Sequence, residues 1–346
     1  MVPVTEEEVV WCYRSILERN PESTEVVRDL AGTAQDFRSL VKIFLDSHEH
    51  RTRNSRAALV PLARGEMEIE LAASPAELAQ LIDRIREAWT HLGKVRPHHS
   101  VLTGDAYLPE ALDEAAIERF YDSGKQELSS MIEAILERHG FAGLESKTCV
   151  EYGCGLGRVT LALASKCAAV HGYDISPNHL ALAEKRAAET GAGNVRFHLC
   201  TADVIGKPLE PCDFFFSCIV FQHNPPPIML AMLSASLQSL RVGGIAIFQL
   251  PTYGTGYSFR IQDYLAAPRN LEIEMHCLPQ EAVFSLIAHE NCKILEVRED
   301  DWVGDPGRWI SNTFVVTRPA VPPWRRVFDD ASQRIGGLTS KFRYQK

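Results

Sequence analysis

The sequence has no apolar run approaching the roughly 20 residues that a membrane span requires, and it has no excess of positive charge. Its formal net charge of −9 argues against general attraction to nucleic acid or anionic membrane, because counterion release needs clustered Lys and Arg. CxxC pairs and other zinc spacings are missing as well. The nine cysteines are scattered and read as reduced, mostly buried thiols of a cytosolic protein. His48-Glu49-His50 and His98-His99 lack the i,i+4 separation of a helical metal pair, so no metal site is expected. The opening MVPVTEEEVV is acidic where a secretory signal is basic, which points to the cytoplasm.

What is present falls into four stretches. Residues 1–50 read as a small helical segment: Thr5 can cap a first turn of Glu6, Glu7 and Glu8, and Phe37, Leu40, Val41, Phe44 and Leu45 recur at helical spacing. Residues 51–125 read as an α+β cap or substrate region. In it a short strand over 66–71 precedes a helix that opens on Ser74-Pro75-Ala76-Glu77 and carries the stripe Leu78, Leu81, Ile82, Ile85 and Trp89. Residues 126–318 alternate strands with helices. The strands are expected at 148–152, 169–174, 195–199, 213–219, 245–250, 293–298 and 312–317. Residues 319–346 read as a basic helical tail, with Arg325, Arg326, Arg334, Lys341 and Arg343. Strands separated by helices imply an α/β fold with a mostly parallel sheet covered on both faces.

The chemical signal is Glu151-Tyr152-Gly153-Cys154-Gly155-Leu156-Gly157-Arg158, directly after an apolar strand. Alternate glycines let the backbone turn tightly and approach a ligand. Asp174 ends the next strand, where a carboxylate can accept the ribose hydroxyls of an adenosine cofactor. A nicotinamide-binding G-x-G-x-x-G would need glycine at 158, where Arg158 stands.

With Gly172-Tyr173-Asp174-Ile175-Ser176, Ala202-Asp203, Cys212–Ser217 through His223, and Leu240–Gly244, the chain resembles the class I S-adenosylmethionine-dependent methyltransferases. The resemblance covers about 120–318 and implies a seven-stranded, mostly parallel Rossmann-like sheet with helices on both faces, its last strand antiparallel. It implies S-adenosylmethionine as cofactor, with Gly153 and Gly155 under the amino-acid end and Asp174 on the ribose. Ile175 would pack on adenine, Ala202 and Asp203 would lie near its amino group, and Cys218 and Ile219 would line the methionine side. Glu151 occupies the family's first acidic position. Phe120-Tyr121-Asp122-Ser123-Gly124 matches the segment that closes over the methionine end, which assigns Tyr121 and Gly124 to the cofactor.

His223 follows the fourth strand at the sheet edge where ligands bind, and is the candidate general base; equally, it could only position a loop beside Pro225-Pro226-Pro227. Gln222, Tyr253, Tyr257 and His276 are further candidates to face an acceptor. The stretch Ile16–Ser47 looks similar to segments fused to bacterial surface-polysaccharide enzymes. It turns the expectation toward O-methylation of a sugar or another small hydroxylated metabolite, with N-methylation of an amine or a non-catalytic binding module as alternatives. The expected partner is a small-molecule acceptor, without nucleic acid or membrane; homo-oligomerisation stays open. Two further expectations are that 66–125 covers the acceptor site, and that loss of Asp174 weakens cofactor binding while leaving the empty protein's stability alone.

Overall fold

The computed structural model describes residues 4–17, 19–47, 67–201, 205–303 and 307–320, and they fall into two units. The first contains three helices, Glu6–Ile16, Thr24–Thr33 and Phe37–Asp46. Each begins at a side chain that accepts a backbone N–H: Thr5 from Glu8, Ser23 from Val26, and Asp36 from Ser39. Val9, Cys12, Tyr13, Leu17, Val27, Leu40 and Phe44 make its core. The stripe expected over 37–45 is only partly inward, since Phe37 and Leu45 stay exposed.

The second unit is built on a seven-stranded sheet in the order β3-β2-β1-β4-β5-β7-β6. The strands are β1 Thr148–Tyr152, β2 Ala169–Asp174, β3 Val195–Leu199, β4 Cys212–Ser217, β5 Leu240–Gly254, β6 Lys293–Asp300 and β7 Trp309–Thr317. β1 to β5 pair in parallel, and β7 runs antiparallel between β5 and β6. The chain order reverses between β1 and β4, opening a crevice at their C-terminal ends of the kind in which α/β sheets bind ligands.

The two-residue period of β4 shows why both faces are covered. Phe214 and Phe216 enter one core with Leu128, Ile132, Ile135, Val159 and Leu163. Phe215 enters the opposite core with Leu81, Ile82, Ile85, Ile228, Met229 and Leu233. Each fully buried phenylalanine contributes about 1.5–3 kcal/mol through loss of hydrated apolar surface. The stripe of the Pro75–Val95 helix therefore belongs to the same core as the sheet, and 67–125 is continuous with it.

Two local expectations change. Of the strand expected over 66–71, the described part makes one isolated parallel bridge, Ile69 with Phe259, and is otherwise tied by side chains, Glu68 to Arg260 and Glu70 to the Ile261 N–H. The glycine turn expected before the fifth strand lies inside β5, where the register slips between Cys212↔Leu240 and Phe214↔Ile245 and Gly243 adopts φ 83°. The basic tail lies outside the described residues apart from its first two positions.

Candidate active site

A cavity of about 430 Å³ lies at the β1/β4 crevice, within the usual range for small-molecule sites. Its floor is the glycine loop. Gly153 and Gly155 have φ of 76° and 51°, and a Cβ at either would run into the side chain of Val220 or Val101. Glycine thus keeps the loop both left-handed and open.

Asp174 holds this loop in place. Its Oδ2 accepts the Gly155 N–H at 2.8 Å and its Oδ1 accepts the Ser176 N–H at 2.8 Å. His179 Nδ1 lies 3.5 Å from Oδ1, and its Nε2 is 3.0 Å from Ser100 Oγ. A carboxylate has about four acceptor positions, so Asp174 retains capacity for a ligand. Glu151 is buried beside the loop, bonded by the Thr160 hydroxyl. Burial pushes its carboxyl up to about 8, against the pull of that bond and of Arg158.

The opposite wall follows β4. Ile219 has φ 56°, a strained conformation for a β-branched residue. Its N–H donates to Gln249 Oε1 at 2.9 Å, while the Gln249 amide donates to Gln222 and Ser311. The next turn carries His223, whose Nδ1 lies 2.8 Å from the Glu274 carbonyl. A carbonyl only accepts, so Nδ1 carries the proton and Nε2 presents a lone pair. Burial lowers the His223 pKa to about 4, despite the opposing effect of that hydrogen bond. The ring is neutral at ordinary pH.

Glu274 belongs to a segment tied to the Pro75–Val95 helix and the residue after it. Arg84 donates to the carbonyls of Tyr264, Leu265, Ala267 and Pro268. Arg269 pairs with Glu87, and Arg96 with Glu272. The Glu274 carboxylate accepts from Tyr264 at 2.7 Å and lies 3.3 Å from His276 Nε2, whose Nδ1 meets the Tyr257 hydroxyl at 2.8 Å.

Glu151, Gly153, Gly155, Asp174, Ile175, Cys218, Ile219, Gln222 and His223 therefore line one cavity. Tyr121 and Gly124 do not. Tyr121 packs on Phe120 and under the Arg186 guanidinium, 4.5 Å from its ring. Gly124 lets its helix approach Arg158 closely, where a Cβ would sit 2.1 Å from the backbone oxygen. The same helix nevertheless reaches the cavity through Glu127, which pairs with Arg158 at 2.5 Å. Tyr257 and His276 stand behind Glu274, and Tyr253 is likewise not among the lining residues. Ala202 and Asp203 lie outside the described residues. Sequence reasoning missed Trp89, Ser100, His179, Met275 and Trp302. Trp89 carried a signal only as a member of an apolar stripe, and the others carried none.

Residues 149–244 match the family model of the methyltransferase domain. A ubiquinone biosynthesis O-methyltransferase of Cereibacter sphaeroides is 27% identical over 183 residues, spanning 52% of this chain and 65% of that protein. An uncharacterised RNA methyltransferase of Halalkalibacterium halodurans is 25% identical over 268 residues, spanning 65% and 57%. The matches thus cover less than two thirds of either relative's length. Among solved structures, magnesium protoporphyrin IX methyltransferase of Synechocystis gives a TM-score of 0.47 at 16% identity, covering 68% of this chain and 99% of that one. Residues 149–244 thus match a methyltransferase domain and lie within a sheet of Rossmann-like strand order.

Proposed function

We propose that the protein transfers a methyl group from S-adenosylmethionine to a hydroxyl of a small-molecule acceptor, with His223 as general base. The observation that carries this reading is the presence, in one cavity, of the glycine loop, Asp174 and the unprotonated Nε2 of His223. The residues suit the cofactor. The loop is open only because both cradle positions are glycine, and Asp174 has acceptor capacity left for ribose hydroxyls. Ile175 would face adenine, with Ala202 and Asp203 near its amino group; Cys218 and Ile219 would line the methionine side.

The bound cofactor supplies an electrophilic methyl group on a sulfonium. The protein aligns the acceptor oxygen with that carbon, excludes water, and removes the hydroxyl proton. His223 takes the proton on Nε2, while the Glu274 carbonyl keeps Nδ1–H oriented. A neutral imidazole also avoids repelling a cationic sulfonium. Mass spectrometry of reactions with hydroxylated metabolites, amines and RNA tests the reading. Methyl transfer to an oxygen of a small molecule is expected; transfer to nitrogen or to RNA alone would contradict it.

Glu151 gives a second test. Between pH 4.5 and about 8 its carboxyl is protonated in the folded chain and ionised in the unfolded one. The empty protein therefore loses stability as pH rises through that window. A cationic cofactor favours the ionised form, so binding at pH 7 is expected to release up to about one proton. Calorimetry in buffers of different ionisation enthalpy measures this release, which Glu151→Gln should abolish. The same release in the variant would assign the proton elsewhere.

A further inference from the structure

His223 Nε2 fixes where an acceptor hydroxyl must sit if the proposed function holds, so the surfaces around that nitrogen describe the acceptor. The Trp89 indole is nearest in character: its centroid lies 5.5 Å from the His223 ring and 6.2 Å from the His179 ring, on the Asp174 side. Trp89 therefore neighbours both the base and the histidine beside Asp174. The Glu274 carbonyl that holds Nδ1 is flanked in sequence by Ile273 and Met275, and both line the cavity. Trp302 and Val303 line it as well. These are two indoles, a thioether and aliphatic groups, which pack well on an aromatic ring.

The charged lining groups are engaged within the protein, and the remaining capacity of Asp174 is assigned to the cofactor ribose. Glu127 pairs with Arg158, Glu151 is bonded by Thr160, and Asp174 holds the loop. The Glu274 carboxylate is engaged by Tyr264 and His276. Against the surface of Trp89, Ile273, Met275, Trp302 and Val303 the hydroxyls of a sugar would leave water without gaining partners, and each unpaired polar group would cost about 1–3 kcal/mol.

We propose that the acceptor is a flat, uncharged aromatic hydroxyl compound, its ring against Trp89, Ile273 and Met275 and its hydroxyl on Nε2 of His223. The inference rests on the methyltransferase reading above and, between the sugar and the other small hydroxylated metabolites expected from the sequence, takes a phenol. Acid–base chemistry agrees. A histidine that burial has made weakly basic is better matched to a phenolic proton, with a pKa near 10 like that of tyrosine, than to the far less acidic proton of an aliphatic alcohol. In the transfer, the phenol oxygen forms a bond to the methyl carbon, the carbon–sulfur bond breaks with its electrons going to sulfur, and His223 keeps the proton until solvent removes it.

The test uses the full chain with S-adenosylmethionine and three probes: 2-naphthol, methyl α-glucopyranoside and ethanolamine. O-methylation of 2-naphthol well above the other two is expected. Trp89→Ala should raise the KM for 2-naphthol at least about tenfold more than it raises the Kd for S-adenosylmethionine, since a lost stacking partner weakens only acceptor binding. Preferential methylation of the glucoside or of ethanolamine would overturn the acceptor class and leave the methyltransferase reading standing. Tight S-adenosylmethionine binding with no turnover of 2-naphthol, whether or not saturation-transfer NMR shows it bound, would likewise overturn the acceptor class. Failure to bind S-adenosylmethionine at all would remove the methyltransferase reading and this inference with it.

Discussion

Asp174→Ala is expected to lower affinity for S-adenosylmethionine at least about tenfold and, for a different reason, to destabilise the empty protein. The first effect follows from losing one or two charge-assisted hydrogen bonds to ribose hydroxyls, each worth about 1.5–3 kcal/mol. The second comes from the structure and reverses the sequence-based expectation. The carboxylate already accepts the Gly155 and Ser176 N–H groups, both at 2.8 Å in a buried site. Removing it leaves two buried donors unpaired, at about 1–3 kcal/mol each. Asp174→Asn separates the two effects. Its amide oxygen can still accept one N–H, so much of the stability should return while cofactor affinity stays low. Calorimetry and thermal melts of both variants measure this, and wild-type affinity in either would remove Asp174 from the cofactor site.

His223→Ala is expected to lower turnover by about 10²–10⁴ while leaving cofactor affinity nearly unchanged, because the base acts only when an acceptor is present. The pH dependence follows from burial. With a pKa lowered to about 4, the imidazole is uncharged throughout the range above it and protonated only below. The His223-dependent rate should therefore be flat from pH 6 to 8, with its acid limb near pH 4, and the variant should be slower by a similar factor across the whole range. A wild-type acid limb near 6.5 that the variant lacks would show His223 to be far better solvated than the structure has it. Full activity in the variant would reduce His223 to holding its loop.

The sheet was legible because its signals are local. β1, β2 and β3 have the bounds expected from the local sequence, and the Gly-Tyr-Asp at the end of β2 and the glycines after β1 identify the crevice without any long-range information. The cavity's other wall was not legible for the opposite reason. Trp89 sits in an ordinary amphipathic stripe, and nothing in its neighbourhood distinguishes a core position from one facing a ligand. Met275 and Glu274 gain their roles through Arg84, Arg96 and Arg269, whose partners lie more than 170 positions away in sequence. At Gly124 the structure shows close helix packing against Arg158, and a glycine needed for packing looks, in sequence, like a glycine needed for a ligand. The Arg186 guanidinium over the Tyr121 ring is likewise a contact that the local sequence does not announce.

The central claim is that the β1/β4 crevice holds the cofactor and hands its methyl group toward His223. A crystal structure of the protein with S-adenosylhomocysteine tests it most directly. Ribose hydroxyls are expected within hydrogen-bond distance of the Asp174 carboxylate, and the adenine beside Ile175. The thioether sulfur is expected on the Cys218–Ile219 side, with open space between it and His223 Nε2. Ribose density away from Asp174, or a sulfur screened from His223 by intervening side chains, would contradict it.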